Sequence, residues 1–341
     1  MRKMITVLYL LGMLLCGQMC MAETVDSLTY AVFSYLPDCT YYQEIIEARW
    51  AELEPDIRLI RAEWNCYQDG KPEGIDVIMY DAVVQDKLIR EGWIQSISPD
   101  AVREAQDIFP FALEGLTVQD RLYGIPVFLC GNFLIYDRGS PKMAGAEHIT
   151  DFDAESEILV INSEAPINRS QYAIEITADM LGAANPPADE RAETVLSLMD
   201  QLAIKAHRKD SDLQVAMAYD AGIGEGYIGF SESMRLLQNR GDRTEIRTIS
   251  FSDRENVFRL YTDAAAVTAG VHGRRLEKCL ELMNVMAEGE ILRKLSIRDG
   301  QPQYLLLSRK QPYQALKERF PLYAQLEALA ENEKNHVILT P

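Results

Sequence analysis

A cysteine and a few carboxylates are the residues of this sequence that could do chemistry together. Cys130 lies in the apolar run 127–136, just after Tyr123-Gly124-Ile125-Pro126. Such a thiol is most often a small buried hydrophobe. As a thiolate it would be a strong nucleophile, but only with partial exposure and a base within reach. His148, His207, His272 and His336 are isolated, and none is near Cys130, so a base would have to be a carboxylate brought in by the fold. Asp81 and Asp263 end strand-like runs, and Glu232 stands where a strand pattern gives way to a helix. Each has a plainer explanation as a capping or first-turn acid.

Other local patterns carry less. The letters at 224–229 match a dinucleotide fingerprint but precede a strand instead of joining strand to helix. Gly229-Phe230-Ser231-Glu232-Ser233 approaches a nucleophile elbow, yet its final glycine is Ser233, so Ser231 is better explained as a turn or cap residue. Asn168-Arg169-Ser170 fits a glycosylation acceptor, relevant only in a eukaryotic secretory route. Isolated histidines argue against a His-rich metal site, and neither a metal nor a cofactor is expected.

The elements that must position these residues alternate. A strand at 28–34 is followed by a capping box at Thr40-Tyr41-Tyr42-Gln43 and a helix burying Tyr42, Ile45, Ile46, Trp50 and Leu53. Strands at 57–62 and 75–80 and a helix at 83–90 complete a βαβ pattern. Polar, loop-rich stretches at 151–157 and 184–189 interrupt the middle, with helical sequence near 191–206. Strand-like runs at 227–230 and 258–267 follow, then amphipathic helices at 276–295 and 312–329. The plan is α/β: two lobes with mixed sheets flanked by helices and a ligand cleft between them, as in bilobal type II periplasmic binding proteins. Lobe 1 is expected at 23–136 plus 262–341, and lobe 2 at 137–261. Ligands in open parallel sheets sit at the carboxyl ends of strands, which nominates 33–39, 63–67, Asp81 and the loop around Cys130. Cys39 and Cys66 each follow one of the first two strands; if those are parallel neighbours, a disulfide at the cleft rim is expected.

Composition bounds the partners. With 341 residues, the chain is long enough for about two domains. Its 48% hydrophobic and 25% charged content is that of a globular protein. The formal charge of -18 argues against nucleic acid or an anionic membrane surface as partner. Residues 1–22 have Arg2 and Lys3, an apolar run at 5–16 and a Cys20-Met21-Ala22 ending, the pattern of a secretory signal peptide. Cleavage near Ala22 removes Arg2 and Lys3 but no acid, taking the charge from -18 to -20. The mature chain is expected to be periplasmic or secreted, monomeric and without stable membrane contact.

FPFALEG at 109–115, LYGIP at 122–126 and FLCGN at 128–132 together resemble thiaminase I, also called thiamine pyridinylase. So do the stretch 227–234, Tyr261-Thr262-Asp263, and Pro302-Gln303-Tyr304-Leu305-Leu306 with the sequence 313–326 behind it. The matches keep their order over most of the mature chain. The resemblance implies a periplasmic-binding-protein fold and an enzyme that replaces the thiazolium of thiamine with an amine, pyridine or thiol. Carried over by position, Cys130 would be the nucleophile and Glu232 its base. Asp263 and Asp81 would hold the aminopyrimidine, while Tyr35, Tyr67 and Tyr261 line the cleft. Phe33 and Phe230 stand where the family pattern has Tyr, keeping ring stacking but losing two hydroxyls, and Leu213 falls near an expected aromatic position. The alternative is a non-catalytic exported solute-binding protein for thiamine or a related pyrimidine.

Overall fold

The computed structural model describes residues 24–153, 157–181, 192–251, 258–332 and 335–338. The expected signal peptide and the stretch 184–189 lie outside the described residues. Alternating strands and helices begin with β1 (Ser27–Ala31), α1 (Cys39–Leu53), β2 (Arg58–Arg61), β3 (Val77–Asp81) and α2 (Gln85–Arg90). β1 pairs in parallel with β2 and with β3, as the βαβ pattern requires. Every residue of β3 is buried, consistent with a central strand covered on both faces.

The apolar run 127–136 is two strands and not one. β4 (Ile125–Cys130) and β5 (Phe133–Asp137) belong to different sheets, joined only by Gly131 and Asn132. A Cβ on Gly131 would stand 3.0 Å from Leu260 Cδ2 and 3.4 Å from the Phe133 ring, so the crossover accommodates little more than a bare backbone. After β5 come β6 (Leu159–Val160), α3 (Pro166–Leu181), α4 (Ala192–Leu202), α5 (Asp212–Asp220), β7 (Gly226–Gly229) and β8 (Thr244–Arg247). The chain then returns through β9 (Phe258–Val267), α6 (Gly273–Met286), α7 (Gly289–Leu295), β10 (Leu306–Leu307), α8 (Gln311–Arg319), α9 (Leu322–Ala330) and β11 (Asn335–Val337).

The larger sheet has seven strands in the order β10-β4-β9-β3-β1-β2, with β11 beside β9. β9 runs antiparallel to both β3 and β4, so the sheet is mixed. Its Ala264, Ala265 and Ala266 are fully buried, small enough for α6 to pack across it. The smaller sheet is β8-β5-β7-β6. Alternation along β5 splits its side chains cleanly. Leu134 and Tyr136 join Tyr172, Ile176, Leu196 and Met199 of α3 and α4, whereas Phe133 and Ile135 join the core shared with the larger sheet. Among the described residues no helix is long and apolar enough to cross a membrane.

Two local expectations need correction. The helix start near Thr40 is not a capping box: α1 begins at Cys39, and Asp38 is the N-cap, its side chain accepting from the Tyr41 N–H at 3.0 Å. A carboxylate two residues before Thr40 caps the first turn and also ion-pairs with Arg298, and Thr40 is exposed. The Cys39–Cys66 disulfide is absent, and both thiols are free. Although β1 and β2 are parallel neighbours, the Cys39 thiol turns back to donate to the Phe33 carbonyl at 3.3 Å. Cys66 is buried beside Asp81 and Asp263, which together with burial push its thiol up to about 12.

α1 is anchored on its buried face by Tyr42, Ile46 and Trp50. The Tyr42 hydroxyl donates to the Met286 carbonyl at 2.7 Å, and the Trp50 indole donates to the Ile57 carbonyl at 2.8 Å. We expect Asp38→Ala to lower unfolding free energy in urea by about 1 kcal/mol, the usual worth of an N-cap. Thr40→Ala should change it by less than about 0.5 kcal/mol. Equal losses would mean that the cap is misassigned.

Candidate active site

Strand pairing assembles the chemistry-bearing face. Cys130, the last residue of β4, is directly opposite Tyr261 of β9. Two residues further along β9, Asp263 is directly opposite Asp81, the last residue of β3. Residues i and i+2 of a strand share a face, and directly opposed residues share it across the ladder. Cys130, Tyr261, Asp263 and Asp81 therefore form one patch at the carboxyl ends of β3 and β4, where open sheets bind ligands. A register irregularity falls between Asp263 and Ala264, where the patch ends.

Asp81 is held from two sides. Its Oδ1 accepts from the Val83 N–H at 2.9 Å and its Oδ2 from the Tyr67 hydroxyl at 2.5 Å. Tyr67 comes from the loop after β2 and stands in a cluster of rings with Phe33 and Tyr35 from the loop after β1. Ring centroids are 5.5 Å apart for Phe33–Tyr35, 6.3 Å for Phe33–Tyr67 and 6.0 Å for Tyr35–Tyr67. Tyr35 is 54% and Tyr67 44% exposed. Large aromatic faces left this open at the carboxyl edge of a sheet suit a flat or cationic ligand.

The smaller sheet contributes the opposite side. Beyond β7 the chain passes Phe230 and enters a 3-10 turn, Ser231–Leu236, whose first turn carries Glu232. Ser233 closes this turn, donating to the Phe230 carbonyl at 2.6 Å and bonding the Tyr227 hydroxyl at 2.8 Å. Ser231 is the first residue of this turn, in keeping with the turn role expected of it. Phe230 and Cys130, both half-buried, pack with Ile174 against Tyr261, Val83 and Ile338, so residues from elements of both sheets meet around the thiol. Leu213 is 44% exposed on α5.

A further acid stands here. Glu175 of α3 is buried and accepts from the Asn132 side-chain amide at 2.7 Å. No local pattern marks it: polar residues interrupt the apolar spacing over 166–181, and Asn132 stands out only within the FLCGN string. A helical period through Tyr172, Ile176 and the buried residues between them was the available signal.

Charge decides what the site can do. Burial pushes Asp81 up to about 6, only partly offset by the Tyr67 hydroxyl and the Val83 N–H. Asp263 is raised well above the carboxylate range by burial and then by Asp81 and Glu232. Two carboxyls facing each other this way each hold their protons to higher pH than either would alone. Burial lifts Glu232 to about 7, with the nearby Arg235 pulling back, and lifts Glu175 to about 8 despite its hydrogen bond from Asn132. Cys130 is driven well above a free thiol by burial, then by Asp263, Glu232, Asp81 and Glu175. The resting thiol is therefore protonated, and a cation entering the site would oppose every one of the acids that hold it so. The Asn132 Oδ1, Ser231 Oγ, Tyr261 hydroxyl and Asp263 Oδ1 atoms are buried without hydrogen bonds. Orphaned polar atoms in a native site point to a ligand that completes them. Among the described residues no group of three or more His, Cys, Asp or Glu is arranged to hold a metal.

Known proteins add to this geometry. No family model matches the chain. Thiaminase-1 of Paenibacillus thiaminolyticus is 27% identical over 346 residues, covering 93% of this chain and 84% of that protein. Two solved structures, thiaminase I from Bacillus thiaminolyticus and Clostridium botulinum thiaminase I in complex with thiamin, each superpose with a TM-score of 0.85. Each is 26% identical and covers 92% of this chain and 94% of the other. Maltose-bound MalE3 of T. maritima, at 12% identity and a TM-score of 0.66, shares the fold over 92% of this chain and 89% of its own. The chain is similar to thiaminase I over most of its length and has the bilobal type II fold of periplasmic binding proteins.

Proposed function

We propose that this chain is a thiamine pyridinylase, which splits thiamine by moving its aminopyrimidinylmethyl group from the thiazole to another nucleophile. The observation that carries the reading is Cys130 set opposite Tyr261 on the face that bears Asp81 and Asp263, in a thiaminase I homologue. Thiamine has a fixed positive charge and an aminopyrimidine rich in donors and acceptors. The acidic face attracts the cation, and Phe33, Tyr35 and Tyr67 offer ring faces to it. The raised titration of Asp81 and Asp263 suits one to donate a proton to a ring nitrogen and the other to accept from the amino group, which makes the pyrimidine electrophilic.

Cys130 then adds to a pyrimidine ring carbon as its proton passes to Glu232. The ring electron pair expels the thiazole, which takes back the electrons of the broken bond and leaves neutral. An amine, pyridine or thiol adds to the exposed methylene carbon, giving up any proton to a carboxylate. The ring–sulfur bond breaks and the thiol regains its proton. Glu232 serves this cycle because its titration lies near neutrality, where a group both accepts and returns protons. The maltose-binding-protein likeness favours one rival, a binder that captures thiamine without turnover. The proposal extends to export: cleavage near Ala22 and a periplasmic or secreted mature chain, which N-terminal sequencing of secreted protein would test.

Incubating mature protein with thiamine and aniline should yield the exchange product by mass spectrometry. Cys130→Ser should nearly abolish it, and Glu232→Gln should lower kcat by about 10²–10⁴-fold. Tight thiamine binding with unmodified Cys130 and no product would establish the rival instead.

The site also predicts an unusual pH dependence of stability. Asp81, Asp263, Glu175 and Glu232 all titrate higher in the fold than in an unfolded chain, near 4. The native state holds protons that unfolding releases. Their contribution is full below pH about 4 and is lost as pH rises through about 6 to 8. Melting temperature should therefore fall by several degrees between pH 5 and 8.5, and saturating thiamine should restore more of it at the higher pH. A flat or rising profile would contradict these protonation states.

A further inference from the structure

We propose that Glu175 is a positioning residue for Cys130, fixing the crossover segment that follows the nucleophile against Tyr261 on the strand opposite it. This rests on the thiamine pyridinylase reading above. Cys130 ends β4 and only Gly131 and Asn132 separate it from β5 of the other sheet, so whatever sets the Asn132 conformation sets the thiol. Asn132 is buried, and its side-chain amide donates to Glu175 Oε1 at 2.7 Å. Glu175 is 7% exposed. The Tyr261 hydroxyl lies beside its carboxyl without a well-formed hydrogen bond, and Tyr261 is the residue paired with Cys130. Ile174, next to Glu175, packs in the same cluster as Cys130 and Tyr261. One carboxyl from α3 thus bridges both flanks of the thiol.

The role calls for an uncharged carboxyl. The ionisable groups around it are Asp179 and Tyr172 on its own helix, Tyr261 on β9 and Cys130 on β4. None of these is a cation, and ionisation would set a bare carboxylate against the thiol. Burial keeps the group protonated up to about 8. A neutral amide of the same shape can then replace it.

The test uses full-length mature protein. Glu175→Gln and Glu175→Ala are each assayed for aniline exchange and for Cys130 alkylation by iodoacetamide between pH 6 and 10. We expect Glu175→Gln to keep kcat within about threefold near pH 6.5 and to lose the wild-type decline above pH about 8. Its alkylation curve should move to lower pH, because the charge that opposes the thiolate is gone. Glu175→Ala should lower kcat by about tenfold to a hundredfold, the scale of a misplaced reacting group, with KM within about threefold. Wild-type kcat and pH profiles in both variants would overturn the proposal, as would a Gln variant as impaired as the Ala variant. If Glu175→Ala fails to fold, the Gln profiles alone decide. Wild-type protein that forms no exchange product, yet whose alkylation curve shifts with Glu175→Gln, would refute the thiamine pyridinylase reading while upholding the placement of Glu175 beside the thiol.

Discussion

The antiparallel register of β9 against β3 and β4 holds the site in place. It sets Tyr261 against Cys130 and Asp263 against Asp81. Side chains alternate with a period of two, so a slip of one residue would turn Tyr261 and Asp263 to the opposite face and bring Thr262 in their place. The buried alanine run that follows resists such a slip, because α6 packs across it with no room for larger side chains. Core packing at one end of β9 thereby fixes the chemistry at the other.

That arrangement costs stability. Four acids converge on one thiol, three of them buried, and an ionised carboxyl removed from water is expensive unless it is paired. The fold limits the expense by protonation and by hydrogen bonds donated to the carboxyl oxygens, as by Tyr67 to Asp81 and by Asn132 to Glu175. What remains is a set of polar atoms with unfilled bonding capacity, which favours a guest that can hydrogen-bond to them. The overall charge of -18 favours a cation but far less specifically, since long-range attraction is screened within about 10 Å in ordinary salt.

Much of this was legible in the sequence. The run 258–267 coincides with β9, because a long apolar stretch rich in small residues has few other uses. The strand end at Asp81 followed from the βαβ pattern, whereas the break after Cys130 did not, because the apolar run 127–136 continues through it. The meeting of these ends was not legible, since register depends on long-range pairing that no local period encodes. α3 was missed because its polar residues interrupt the apolar stripe, and Glu175 went with it. The cap of α1 was displaced to Asp38 because two nearby residues, Asp38 and Thr40, both fit an N-cap and only backbone geometry chooses. The two cysteines near the first strands were judged by sequence position alone, which says nothing of where a thiol points.

The two-residue link between β4 and β5 has a consequence for variation in chain length. Most connections between elements tolerate an inserted residue at small entropic cost. Here an insertion would rotate every side chain of β5, because Phe133 and Ile135 face one core and Leu134 and Tyr136 the other. A deletion would pull Cys130 out of the larger sheet. The distance between Cys130 and the smaller sheet is therefore counted in whole residues, and among relatives that keep this arrangement, insertions and deletions should be found in loops away from 131–132.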